Sequence, residues 1–206
     1  MKNVLLIGDS IRAGYDKAVK KSLAGKAEVY FPEENCRFAS YVLRHFHEYM
    51  GDVKFDVIHW NAGLWDNLRL FGEEPHTPID VYGYYIDRIC IRIKKLCPDA
   101  KVIFATSTSV LSEKMSGDFK RYNEDIEEYN KIAVEIVKKH GFSVNDLYSL
   151  SKTLDESVHS DAVHYYTPKG TEVFANRVLK VLAEALELDE VPEYREELHT
   201  DKPVGI

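Results

Sequence analysis

The residues best suited to chemistry are Ser10, which ends the run Ile7-Gly8-Asp9-Ser10, and the pair Asp161 and His164 near the other end of the chain. A serine hydroxyl is a poor nucleophile until a base accepts its proton, and a neutral imidazole titrating near pH 7 suits that task. Asp161 precedes His164 by three residues, a spacing that lets a turn bring its carboxylate to the second ring nitrogen. There it would fix the tautomer and stabilise the imidazolium as it forms. Chemistry of this kind needs neither a metal nor an organic cofactor. His159 is a competing base, five residues before His164. His45 and His47 are two apart on a predicted helix and so point to different faces, which makes them poor joint metal ligands.

Those residues must be held by a scaffold, and the chain reads as alternating strands and helices. Asn3 to Ile7 is a short apolar run that leads into Gly8-Asp9-Ser10, and a single helix is expected from Arg12 to Leu23. Ala27 to Phe31 alternates as a second strand, and Phe38, Val42, Phe46 and Tyr49 then recur at helical spacing. Phe55 to Trp60 predicts a third strand, Lys101 to Thr106 a fourth and Phe142 to Leu147 a short fifth. Helices are expected from Thr77-Pro78 to Pro98, across the apolar stripe Tyr122 to Val137, and from Thr167-Pro168 onward. About twenty residues from Asp146 to Tyr166 lack a clear period, and an irregular loop that long usually serves function. Such alternation implies an α/β fold, a three-layer α/β/α arrangement around a five-stranded parallel flavodoxin-like sheet of order 2-1-3-4-5. Its ligand crevice would lie beyond the carboxyl ends of strands one and three, the edge that receives Ser10, Asn35, Cys36 and Asn61.

Bulk properties narrow the partners. With 206 residues and no linker-like stretch, one domain spanning residues 1–188 is expected, followed by a charged tail over 189–206. A formal charge of −7 argues against binding nucleic acid, which relies on clustered Lys and Arg. No apolar run reaches the length of a membrane span or a secretory signal. The three cysteines have neither disulfide nor zinc spacing, so a cytoplasmic protein acting on a small molecule is expected. Assembly into a homo-oligomer is neither required nor excluded by the apolar faces of the predicted helices.

Taken in order along the chain, Ile7-Gly8-Asp9-Ser10, Asn61 after the third strand, and Asp161-Ala162-Val163-His164 before the last helix resemble the blocks of the SGNH hydrolase superfamily, also known as GDSL esterases. The resemblance runs over most of the chain. It implies a serine esterase with Ser10 as nucleophile, and an oxyanion hole made by the Ser10 N–H, the backbone N–H near Cys36 and the Asn61 side chain. The second block departs from the family, with Asn35-Cys36-Arg37 where a glycine is usual, and the third reads His59-Trp60-Asn61-Ala62. Asn35, Trp60, Trp65 and Tyr165 are candidates to line the substrate site, which Tyr166 also flanks, and at least half of these four aromatic residues are expected to pack in the core instead. The expected substrate is a short-chain acyl ester such as an O-acetylated carbohydrate. Lysophospholipase or thioesterase activity is the nearest alternative, and a flavodoxin-like module that binds without turnover is a reading from another class.

Overall fold

The computed structural model describes residues 1–196; the end of the expected tail, 197–206, lies outside the described residues. In chain order the elements are β1 (Lys2–Ile7), α1 (Ser10–Ala13), α2 (Asp16–Ser22), β2 (Ala27–Tyr30), α3 (Ala39–Met50) and β3 (Val57–Trp60). They continue with β4 (Arg69–Leu70), α4 (Ile79–Leu96), β5 (Lys101–Ala105), β6 (Phe119–Lys120), α5 (Asn123–Lys139), β7 (Ser143–Asn145), α6 (Leu147–Lys152) and α7 (Pro168–Leu186). Five strands form the central sheet in the order β2-β1-β3-β5-β7, and each neighbouring pair runs parallel. Counting only these five, the order is the expected 2-1-3-4-5. The pair β4 and β6 forms a separate antiparallel ribbon of two residues a side, too short to leave a pattern in the sequence.

Because successive side chains on a strand face opposite ways, the sheet feeds two cores. Val4, Leu6, Val57 and Ile103 meet Val19 of α2 and Phe174, Val178 and Leu182 of α7. Leu5, Ile7, Ile58, Trp60 and Phe104 meet Val42 and Phe46 of α3, Ile86 and Ile89 of α4 and Val137 of α5. The tight parallel pairing, Leu5 opposite Ile58 and Ile7 opposite Trp60, brings the carboxyl ends of β1 and β3 level with each other. Gly8 and Asn61 therefore emerge side by side.

Three local features differ from expectation. The helix after Ser10 is broken into α1 and α2 around Gly14 and Tyr15. A Cβ on Gly14 would stand 2.8 Å from the Tyr166 ring, so the break makes room for an aromatic side chain from a distant part of the chain. The expected loop from Asp146 to Tyr166 holds α6, whose first turn is capped by Asp146 accepting from the Ser149 N–H at 3.0 Å, and a short 3-10 turn at Glu156–Val158. Thr167 does cap α7, accepting from the Gly170 N–H at 3.0 Å, whereas the expected cap at Thr77-Pro78 is not formed: Pro78 takes the N-cap position of α4 and no side chain caps it. Beyond α7, Tyr194 is buried and its backbone is clamped by both ends of the Asn176 carboxamide, at 2.7 and 3.0 Å. No helix among the described residues is long and apolar enough to cross a membrane.

Candidate active site

Ser10 opens α1, so its backbone N–H has no partner in the preceding turn of helix. Asp9 shapes that turn. Its Oδ1 accepts from the Ile11 N–H at 3.0 Å, and the rest of the side chain is fully buried. Burial raises the Asp9 carboxyl, while the Asn61 amide, the Ile11 N–H and the charges of Arg121 and Arg12 pull it back. Gly8 is glycine for a steric reason: a Cβ there would lie 1.8 Å from Asn61 Oδ1. The carboxamide of Asn61 thus rests on the backbone of the serine turn, in a side chain only 4% exposed.

The segment after the 3-10 turn brings the imidazole to Ser10. His164 Nε2 lies 2.9 Å from Ser10 Oγ, and His164 Nδ1 lies 2.7 Å from Asp161 Oδ2. An ionised carboxylate only accepts, so the proton belongs on Nδ1 and Nε2 is left to accept from the serine hydroxyl. Asp161 is positioned by its other oxygen, which accepts from the N–H groups of Val163 at 2.7 Å and His164 at 2.8 Å. Partial burial raises its pKa, but those N–H groups and the imidazole outweigh burial and hold the carboxyl below its ordinary value. The whole segment is tied to the body of the protein by Leu111 N–H to Ala162 O at 2.8 Å and by Tyr165 Oη donating to Ser109 O at 2.9 Å. Tyr166 covers the histidine, its ring stacked 4.7 Å from the imidazole and its hydroxyl donating to Ser10 O at 2.6 Å.

His159 does not reach the serine. Its ring packs 4.0 Å from that of Tyr165 and burial lowers its pKa. Four further expected site residues need correction or qualification. Cys36 N–H donates to Gly8 O at 3.1 Å, an inward bond that takes this donor away from an oxyanion. Trp60 is fully buried against Phe104, because at its register it shares a face with Ile58. Tyr165 is 3% exposed and packs on Phe174. Neither ring is accessible to substrate. Asn35 is half-buried, and its Oδ1 is occupied by the Arg37 N–H at 2.8 Å, which stabilises the positive φ of Arg37. Trp65 alone of the three expected aromatic residues keeps an exposed surface, meeting Phe38 edge-on at 5.6 Å.

Of the side chains that hold this edge together, only Asp66 suggests itself from the sequence, as a residue that could orient loop groups near Asn61 or simply form a turn. Arg12 is 1% exposed, pairs with buried Asp16, and donates to Glu34 O at 2.6 Å. It thereby clamps the loop after β2 onto the serine turn. Asp66 is fully buried and receives the Ala39 N–H at 3.0 Å, fastening the loop after β3 to the start of α3. Arg121 donates Nε to Leu64 O and lies 5.9 Å from the Trp65 ring. Arg12 and Arg121 sit in otherwise ordinary helix or loop patterns, and only the contacts mark them out. Among the described residues no cluster of His, Cys, Asp or Glu could hold a metal ion.

No family model matches the sequence, and no curated protein does. Solved structures match its shape. An acetyl xylan esterase superposes with a TM-score of 0.72 at 16% identity, covering 87% of this chain and 99% of its own. A lipase/acylhydrolase from Enterococcus faecalis gives a TM-score of 0.72 at 20% identity, with 89% and 96% covered. A GDSL-like lipase from Bacteroides thetaiotaomicron gives 0.70 at 16%, with 89% of each chain covered. At such identities the likeness is one of fold.

Proposed function

We propose that this chain, whose fold is that of the SGNH hydrolases, is a serine esterase that cleaves carboxylic esters through an acyl-enzyme on Ser10. The observation that carries this reading is the unbroken line of contacts from Ser10 Oγ to His164 to Asp161, at 2.9 and 2.7 Å. In the first step Ser10 Oγ attacks the ester carbonyl while His164 Nε2 takes its proton. Collapse of the tetrahedral adduct returns that proton to the leaving alcohol, and water then repeats the sequence to release the acid. The carbonyl oxygen would be met by the Ser10 N–H and by the Asn61 carboxamide, whose two hydrogens allow it to serve Asp9 and an oxyanion together. With the Cys36 N–H engaged elsewhere, these two donors carry the oxyanion role.

A short acyl group such as acetyl is the substrate side favoured here. The acetyl xylan esterases among the similar folds support that choice of acyl group. An O-acetylated carbohydrate suits the half-buried Trp65 as a stacking surface, and acetyl xylan esterases are among the similar folds. Free, buried cysteines at 36, 90 and 97 fit a reducing compartment such as the cytoplasm.

The test is labelling with a fluorophosphonate probe and mass spectrometry of the modified peptide, which requires no choice of substrate. A single adduct on Ser10, absent from Ser10→Ala and strongly slowed in His164→Ala, is expected. A folded native protein that takes no label, or takes it elsewhere, overturns the assignment. Hydrolysis of 4-nitrophenyl esters of rising chain length then checks the acyl preference, which should fall steeply beyond short acids.

A further inference from the structure

We propose that Arg121 is a recognition residue for a carboxylate on the alcohol portion of the ester, which makes acylated acidic sugars, uronates in particular, the substrate class. The inference rests on the esterase reading above. It begins with position. Arg121 lies between the ribbon strand β6 and the start of α5, and its side chain crosses to the loop after β3, where Nε donates to Leu64 O and the guanidinium lies 5.9 Å from the Trp65 ring. That loop starts at Asn61, and Phe38 from the loop after β2 meets Trp65 edge-on. The cation therefore lies on the same carboxyl edge as Ser10. The charges it feels most are those of Asp9 and Asp161, the acids adjoining the nucleophile and the base.

The guanidinium is costly to hold there without a reason. It is partly buried, and burial lowers its pKa, yet no carboxylate stands within ion-pair distance of it among the described residues. Its neighbours near the site are treated differently: Arg12 is paired with Asp16, and Arg69 with Asp125. With Nε committed to Leu64 O, the two terminal nitrogens remain, and these form the fork that grips a planar carboxylate by two parallel hydrogen bonds. A sugar lying against the exposed part of Trp65 would bring a ring carboxylate within reach of that fork.

The experiment compares two substrates that differ only in charge: a mono-O-acetylated methyl glucuronoside and the same compound with its carboxylate converted to the methyl ester. We expect native kcat/KM to be about tenfold to a hundredfold higher for the free acid, the effect of a hydrogen bond to a charged group. In Arg121→Gln the ratio of the two should fall toward one, with Arg121→Lys between. A native ratio near one, or a ratio that Arg121→Gln leaves unchanged, overturns the proposal, and an equal loss on both substrates assigns Arg121 a structural role instead. Hydrolysis of 4-nitrophenyl acetate with neither sugar turned over would also overturn it while leaving the esterase reading intact. Calorimetric titration of Ser10→Ala with the two glucuronosides reads the same charge preference without turnover, so carboxylate recognition can stand or fall separately from catalysis.

Discussion

Two loops flank Ser10, and they are held in different ways. The segment 159–167 takes the shape of its catalytic turn from its own bonds, beside its ties to Leu111, Ser109 and Ser10: Asp161 Oδ1 takes two N–H groups from its own turn, Ser160 N–H donates to His164 O at 2.9 Å, and Thr167 Oγ1 donates to Val158 O at 2.8 Å. The segment 33–38 is held from outside. Arg12 grips Glu34 O, Gly8 O takes the Cys36 N–H, and Asp66 takes the Ala39 N–H just beyond. A self-supported loop can lose a functional group and keep its shape. An externally held loop concentrates its stability in a few buried polar groups, so damage there should appear in folding before it appears in chemistry.

The sharpest test of that contrast is Asp161→Asn. The amide oxygen can still accept the Val163 and His164 N–H groups, so the turn should persist while the histidine loses its anionic partner. We expect kcat to fall by about 10²-fold to 10⁴-fold, less than for a fully buried aspartate because Asp161 is half-exposed, with the melting temperature almost unchanged. A melting temperature that falls along with kcat would contradict self-support.

Arg12→Met should behave in the opposite way. It strands the Asp16 carboxylate in a pocket where its side chain is 3% exposed, and removal of one member of a buried pair costs about 3–5 kcal/mol. Urea denaturation should read that loss, and adding Asp16→Leu should restore part of it, since the uncompensated charge goes too. If Arg12→Met alone folds as stably as the native protein, the outside support of segment 33–38 is not what holds it.

Asp66 adds a pH signature to the same segment. Burial pushes its carboxyl up to about 7 from 3.8, against the Ala39 N–H, which favours the ionised form. A folded-state pKa above the unfolded one means that the native protein binds the proton more tightly, so this contribution is fully present below pH 3.8 and is lost as pH rises to about 7. The loss amounts to a few kcal/mol at most. Asp66→Asn should therefore flatten the decline in stability across that window, measured by denaturation at several pH values. An unchanged slope would mean that Asp66 is ionised in the fold throughout.

The same contrast explains what could be read in the sequence. The strands were legible because their apolar runs are contiguous, and Asp161-Ala162-Val163-His164 because a turn that supports itself keeps its chemistry within four residues. Arg12 and Arg121 were not, since each acts on backbone 20 or more residues away, and Asp66 could be placed near Asn61 but not against Ala39, a partner that no spacing rule connects. Trp60 and Tyr165 illustrate a different limit. Parity along β3 places Trp60 with Ile58 and could have removed it from the site, but nothing local decides that Tyr165 turns inward while Tyr166 turns to the histidine. The break at Gly14 has the same origin, a ring that arrives from 152 residues later.

Tyr166 gives the smallest effect and the finest discrimination. It could serve segment 159–167 as one more fastening, through its hydroxyl on Ser10 O and its ring on His164, or it could take part in proton transfer. Burial pushes its pKa up to about 12, so at neutral pH the hydroxyl is a donor that does not titrate. Tyr166→Phe keeps the stacked ring and deletes one neutral hydrogen bond, worth about 1 kcal/mol, so kcat should drop no more than about fivefold and its pH profile should keep its shape. Tyr166→Ala should cost more, because the imidazole loses the surface that sets its plane. If Tyr166→Phe proved as damaging as Asp161→Asn, the hydroxyl would have to be moved from the support of the serine turn into the chemistry itself.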